Sequence, residues 1–411
     1  MKINVASFYI LLFFLPVNWG YHFITKDSYA LGILSDYLIP TFRFTDILIL
    51  LFVISELFVK KFSRIKFSLN VPLLFLVFIV ILGIPMVANV PASILGAIFI
   101  LKFGALFLAV QSISSEIKLK DVQKILIISA FFVSLLAIAQ FILQRSVFGY
   151  KFFGEVPLGL EIPGIARDYF FGQLRLLPYS LFPHPNILGG YLSLILLWCF
   201  PKKKIIAGLF FVVILLTHSY SALISLFLGI LLLKAFQFKN KLLITRLTFI
   251  LVILFILITS LGPLFFRPAL DKIAVLSIHR RLDLINYSLT LFKESPLIGV
   301  GINNFIPSLA KIISSKENIL FLQPVHNIFW LVLTELGVFG LTAFLFLIKN
   351  SLHKPKNYLS LLLLINLIQI ITISLFDHYF FTIQQGQLLF WIVLGLLYGQ
   401  KNATISSNAQ V

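Results

Sequence analysis

The residues best suited to chemistry lie between Phe265 and Glu335. Arg280 and Arg281 stand side by side in a stretch where Leu282, Ile285, Leu289 and Phe292 recur at helical spacing. Arg281, Asp283, Asn286 and Lys293 fall largely off that face. The spacing predicts an amphipathic helix from about 279 to 294, closed by Ser295-Pro296. Gly299 and Gly301 permit a tight turn after it, and Asn303 or Asn304 then caps a second short helix running to about Ser314. Adjacent arginines on a helix point about 100° apart, so at most one of them shares a target with the apolar face. A guanidinium placed there can grip a lipid-linked phosphate or pyrophosphate bidentately. It can equally rest on headgroup phosphates as part of an ordinary interfacial helix. Downstream, His326 and Asn327 open an apolar run that contains Glu335. A neutral imidazole at that point can take a proton from a sugar hydroxyl near neutral pH, or can be an interfacial residue satisfied by water.

A second polar group occupies about 145–184, with Lys151, Glu155, Glu161, Arg167, Asp168 and Arg175, and ends in Phe182-Pro183-His184-Pro185-Asn186. The prolines impose extended or turn geometry, which predicts Asn186 as a helix cap and gives His184 a structural role. Arg167 and Arg175 are candidate ligand contacts that spacing does not rank. Ionisable residues inside apolar runs are costly and default to functional candidates. They are Asp46, Glu56, Lys102 and Glu335. An i, i+3 pair with Arg43 accounts for Asp46, whereas Lys102 needs a partner or a wet cavity. The seven histidines are scattered singly, with no carboxylate cluster beside one, so no metal site is expected. The segment GVGINNF lacks the strand and lysine of a phosphate loop, and neither ATP nor any cofactor is expected.

The elements that must position these residues belong to a membrane. The 411 residues are 60% hydrophobic and 12% charged, with 45 phenylalanines and a mean hydropathy of +1.03, which excludes an ordinary soluble domain. Windows of about 17–25 apolar residues predict twelve spans. They lie near 5–23, 42–59, 70–87, 92–110, 123–144, 185–200, 203–217, 219–236, 243–263, 326–348, 357–376 and 384–400. The first run lacks a small-residue cleavage site and is expected to stay as a span. Cys199 is alone, so no disulfide framework exists. The net charge of +18 is not a nucleic-acid signature, because the lysines and arginines collect in alternate short connections. Lys60, Lys61, Arg64 and Lys66 form one such group, and Lys202, Lys203 and Lys204 another. The connections near 88–91, 217–219 and 377–383 carry none. This asymmetry places both termini and a short tail, 401–411, in the cytoplasm. The loops 145–184 and 264–325 then face outward. The fold class is all-α: a single polytopic helical bundle, 1–411, with amphipathic helices in its large outer loop.

Four short motifs, in order, resemble the superfamily of bacterial O-antigen ligases and O-antigen polymerases. His184-Pro185-Asn186 with Gly189 and Tyr191 resembles its entry to a span. Arg281-Leu282-Asp283-Leu284-Ile285 resembles its arginine-bearing helix. Ser295 to Gly301 with Asn304-Phe305 resembles its glycine turn, and His326-Asn327 with Glu335, Gly337 and Gly340 its following span. The resemblance implies metal-independent transfer of a glycan from an undecaprenyl-pyrophosphate carrier to a hydroxyl of a glycan, lipid or protein acceptor. The reaction would take place on the outer face of the bacterial inner membrane during surface polysaccharide assembly. It implies that Arg281 holds the pyrophosphate, with Arg280 as the alternative, and that His326 activates the acceptor. Asn304 and Asn327 join the implied substrate-binding set as motif residues. The sequence departs from the family in Thr217-His218-Ser219-Tyr220-Ser221, where Tyr220 replaces a second phosphate-binding arginine. Tyr220 itself, Arg167, Arg175 or a protonated His218 would have to make up that charge. The competing functions are a flippase or transporter of lipid-linked oligosaccharides and a protein O-oligosaccharyltransferase.

Overall fold

The computed structural model describes residues 2–60, 70–170, 172–200, 202–237, 272–313 and 322–408. Fourteen α-helices and three two-stranded ladders are found among them. The helices are α1 (Ile3–Phe14), α2 (Phe44–Lys60), α3 (Val71–Gly83), α4 (Val90–Ile113), α5 (Leu119–Leu143), α6 (Pro185–Leu196) and α7 (Lys204–Leu216). They continue with α8 (Tyr220–Gln237), α9 (Lys272–Glu294), α10 (Phe305–Ile312), α11 (Ile328–Ser351), α12 (Tyr358–Ser374), α13 (Tyr379–Thr382) and α14 (Gln384–Asn408). Eleven of the twelve predicted spans overlap a helix, although the first, 5–23, is helical only to Phe14 and ends in a strand, Gly20–His22; the ninth, 243–263, lies outside the described residues. Three helices, α4, α5 and α11, are long and apolar enough to cross a membrane, while α1, α3, α6, α7, α8 and α12 are shorter apolar helices.

Local chemistry sets the helix starts. Asn70, Asn89, Asn327 and Asn357 each accept a backbone N–H of the first turn through the side chain, at 2.9–3.1 Å where Asn70, Asn89 and Asn357 cap. Pro72, Pro91 and Pro185 sit in first turns, where their missing N–H costs no bond. In lipid the bundle is held by close packing rather than by water exclusion. Phe8, Phe52, Phe103, Phe107, Phe210 and Trp198 are fully enclosed. The helix α14 lies along α4, with Gly395 set against Val110 and Gly399 against Ser114 so that the backbones approach closely.

Hydrogen bonds and ion pairs join the connections in two sets. In the lysine-rich set, Lys60 meets Glu116 at 3.2 Å, Lys2 meets Glu116 at 3.1 Å, and Lys401 donates to the Asn350 carbonyl at 2.9 Å. In the other set, Asn18 N–H donates to the Phe153 carbonyl at 3.1 Å and Asn89 N–H to Asn304 Oδ1 at 2.7 Å. Asn327 Nδ2 donates there to the Leu375 carbonyl at 3.1 Å. This second set also holds three antiparallel ladders. Strand β1 (Gly20–His22) pairs with β4 (Thr41–Arg43), β2 (Tyr29–Ala30) with β3 (Ile33–Leu34), and β5 (Arg167–Phe170) with β6 (Gln173–Leu176).

The helix α11 is broken. Gly337 has φ 65° and ψ −169°, and the turn that follows α9 docks into the break. Val300 and Gly301 N–H donate to the carbonyls of Thr334 and Glu335, each at 2.9 Å, and Val338 N–H donates to the Pro296 carbonyl at 2.9 Å. A broken helix is tolerated at membrane depth only when its freed backbone groups find such partners. Gly299 and Gly337 also have positive φ, and an added Cβ on either would run into the backbone of the facing segment.

Candidate functional site

A cavity of about 650 Å³ opens among the connections of the second set. His184, His326, Asp377, His378 and Arg43 are among its wall residues, and each owes its place to a local element. His326 lies two residues ahead of α11 and is therefore outside the helix; Asn327 caps that helix through Oδ1, bonding Phe329 N at 2.9 Å and Trp330 N at 3.1 Å. Asp377 and His378 form the corner between α12 and α13, and His378 is the residue at which α13 begins. His184 starts α6, and its Nδ1 accepts the Asn186 N–H at 3.1 Å. The expected cap at Asn186 is thus corrected: the imidazole caps α6, and Asn186 Nδ2 instead donates to Asp377 Oδ2 at 3.2 Å.

The two imidazoles of His326 and His378 meet edge to face, with ring centroids 5.0 Å apart. Thr382 donates its hydroxyl to the His378 carbonyl at 3.2 Å, which leaves its oxygen to accept His378 Nδ1–H at 2.7 Å. That assignment leaves Nε2 of His378 as the basic nitrogen. Asp377 Oδ1 accepts the His378 backbone N–H at 2.8 Å. His326 Nδ1 is buried without a protein partner. Burial, and after it the neighbouring His378, hold the His326 imidazole well below its ordinary value. Burial likewise pushes His378 down to about 4, against the opposing pull of Asp377. Both rings are therefore neutral near pH 7, the state a proton acceptor requires. Arg281 is not among the residues that line the cavity, and its positive charge disfavours protonation of His184, His326 and His378 alike.

The helix that carries Arg281 is longer than predicted, starting at Lys272 rather than near 279, and it ends at Glu294 as expected. Leu284, Ser288 and Leu291 are its buried positions, and Ser288 shares a hydrogen bond of 2.7 Å with Thr334 on α11. The arginine is thus anchored to the same helix that His326 precedes. Arg280 is half-buried beside it.

Other candidates take different places. Asn304 is fully buried, with Oδ1 on Asn89 N–H at 2.7 Å and Nδ2 on the Asn89 carbonyl at 3.0 Å. It makes no side-chain cap to α10; it ties the glycine turn to α4 rather than presenting itself to a ligand. Glu335, also a candidate, accepts Asn303 N–H at 2.9 Å and Phe305 N–H at 3.1 Å, which gives the carboxylate a structural role. Tyr220 is 76% exposed at the start of α8 and is not a wall residue of the cavity. Arg167 donates to the Leu160 carbonyl at 2.6 Å, and Arg175 to Gln173 at 3.2 Å while lying over the Phe141 ring. Both sit on the β5–β6 hairpin, away from the cavity wall. His218 meets Asp168 of that hairpin at 2.7 Å and packs on the Phe170 ring.

Sequence reasoning missed Asp377 and His378. Contrary to the reading of the histidines as isolated, these two are adjacent. The available signal was an acid–imidazole dipeptide in a short connection that otherwise lacks charge.

No curated protein matches the chain. Residues 205–345 match the family model described as O-antigen ligase. The matched span covers about a third of the chain and holds Arg281, the glycine turn, the broken helix and His326. Over that span the chain is similar to the O-antigen ligase family.

Proposed function

We propose that this cavity transfers a glycan from a polyprenyl-pyrophosphate carrier to an acceptor hydroxyl, on the outer face of a bacterial inner membrane. The observation that carries the reading is the meeting of His326, neutral and with its buried Nδ1 unbonded, with His378 and Asp377 in one cavity. His326 accepts the proton of the acceptor hydroxyl as its oxygen bonds to the anomeric carbon. The bond from that carbon to the phosphate oxygen breaks, and the electron pair leaves on the polyprenyl pyrophosphate. Arg281 stabilises the charge that gathers there. The protein's other contribution is placement of the acceptor. Ligation to a lipid core and polymerisation of glycan repeats share these steps and differ only in the acceptor.

A transporter of the same lipid-linked glycans would be expected to line several spans with charge. What supports an enzyme instead is that His184, His326, Asp377 and His378 gather in the wall of one cavity. The test is transfer from a synthetic polyprenyl-pyrophosphate glycan by purified protein in detergent. His326→Ala and Arg281→Ala, at equal folded amounts, are expected to lose transfer by roughly a hundredfold or more. Wild-type turnover in both variants would remove the proposed site.

A further inference from the structure

The cavity wall carries a half-buried cation that the fold leaves only partly compensated. Arg43 ends strand β4, and Asp46 is the acid placed to pair with it. That acid is already engaged: Oδ1 receives Lys102 Nζ at 2.8 Å and Gln384 Nε2 at 2.7 Å, and Oδ2 receives the Arg43 backbone N–H at 2.7 Å. The pairing expected between the side chains of Arg43 and Asp46 is replaced by an ion pair with Lys102, which answers the need of that mid-helix lysine for a partner. The Arg43 guanidinium is left with one long contact, Nη1 to Gln384 Oε1 at 3.4 Å, on an oxygen that Lys102 already approaches at 2.9 Å. Its Nε is buried and has no hydrogen-bond partner. Arg43, Lys102 and Asp46 together leave one positive charge at the cavity wall. Of the acids lining the cavity, Asp36 is exposed, and Asp377 is bonded to Asn186 and His378.

The strand ladder fixes where this guanidinium points. Gly20 lies opposite Arg43 in the β1–β4 pairing, and a Cβ at Gly20 would come within 2.9 Å of Arg43 Cγ. The stem is therefore seated over a residue that must be small. A planar cation with spare donors, seated in a polar cavity, is a receptor for an oxyanion.

We propose that Arg43 binds an oxyanion of the substrate and acts as the second cationic contact alongside Arg281, where Tyr220 supplies none. The proposal rests on the transfer reading of the cavity. The oxyanion can belong to the donor's pyrophosphate or to the carboxylate of an acidic sugar in the glycan, and binding measurements separate the two. Full-length protein in lipid nanodiscs is titrated with three probes: sugar-free polyprenyl pyrophosphate, a polyprenyl-pyrophosphate glycan bearing a uronic acid, and its neutral counterpart. Arg43→Gln is expected to weaken binding by roughly tenfold to a hundredfold. Loss for all three probes assigns the pyrophosphate, and loss confined to the uronic acid probe assigns the carboxylate. Either result supports the proposal. Unchanged affinity for every probe, in a variant that melts like the wild type, overturns it even where His326→Ala abolishes transfer. Conversely, transfer that survives His326→Ala removes the function proposed above while leaving an Arg43 effect on binding intact. If Arg43→Gln does not fold, Arg43→Lys keeps the charge and removes the planar fork. It must then weaken the same probes, and unchanged binding in that variant overturns the proposal.

Discussion

An imidazole works as a proton acceptor only while neutral, so the surroundings of His326 translate into a pH profile. Burial and the adjoining His378 lower its pKa below the ordinary value of about 6.5. The base form is then complete above the folded value and is lost only as the pH falls through it. kcat/KM, which reports the free enzyme, should accordingly stay level from about pH 8 to about pH 6 and decline only at more acid pH. A midpoint near 6.5 that disappears in His326→Gln would show an unperturbed histidine there and contradict the geometry. The sign carries over to stability. Because the folded pKa lies below the unfolded one, the unfolded chain binds more protons once the pH drops through about 6.5. Each such histidine therefore costs stability in acid, and His378, pushed down to about 4, contributes in the same direction. Arg43 belongs to the same scale of argument: its role follows from which partner took Asp46, a choice made by Lys102 from a helix far away in sequence.

Between residues and bundle stands one composite element, the glycine turn docked into the break of α11. Its job is mechanical: it fixes α9, and hence Arg281, to the helix that His326 precedes. Glu335 is the clasp, each carboxylate oxygen accepting one backbone N–H of the turn. Removing the clasp should cost stability rather than chemistry. Glu335→Ala leaves two buried donors unpaired, at about 1–3 kcal/mol each, and Glu335→Gln keeps one acceptor and should fall between it and the wild type. Melting of the purified protein in detergent is expected to follow that order. Identical melting with abolished transfer would instead make Glu335 a participant in the reaction. Gly337→Ala combines positive φ with a collision against the Leu297 backbone, and should reduce the yield of folded protein more than either. Here the sequence reading reached the glycines and the turn they make. It did not reach their partner, because a broken helix and an intact one have the same apolar pattern, and only the docked segment reveals where the break must be.

At the scale of the whole molecule, hydropathy located most of the helices, since lipid forces apolar helices of a narrow range of lengths. The motifs supplied Arg281 and His326 as candidates. Asp377, His378 and Arg43, which line the same cavity as His326, belong to no motif. Those three come from short connections distant in sequence, and tertiary packing alone assembles them. The arrangement of the two loop sets makes the orientation testable. If both termini are cytoplasmic, the exposed Lys118 and Lys356 would lie inside, and the exposed Lys151, next to the cavity-lining Tyr150, would lie outside. The lone Cys199 is buried and can be replaced by alanine to give a clean background. In intact cells stripped of their outer barrier, a membrane-impermeant maleimide should label Lys151→Cys directly. It should reach Lys118→Cys and Lys356→Cys only after the membrane is opened. Labelling in the reverse order would turn the cavity toward the cytoplasm, where a carrier-linked glycan already delivered to the outer face could not enter it, and the transfer reading would have to be abandoned with the topology.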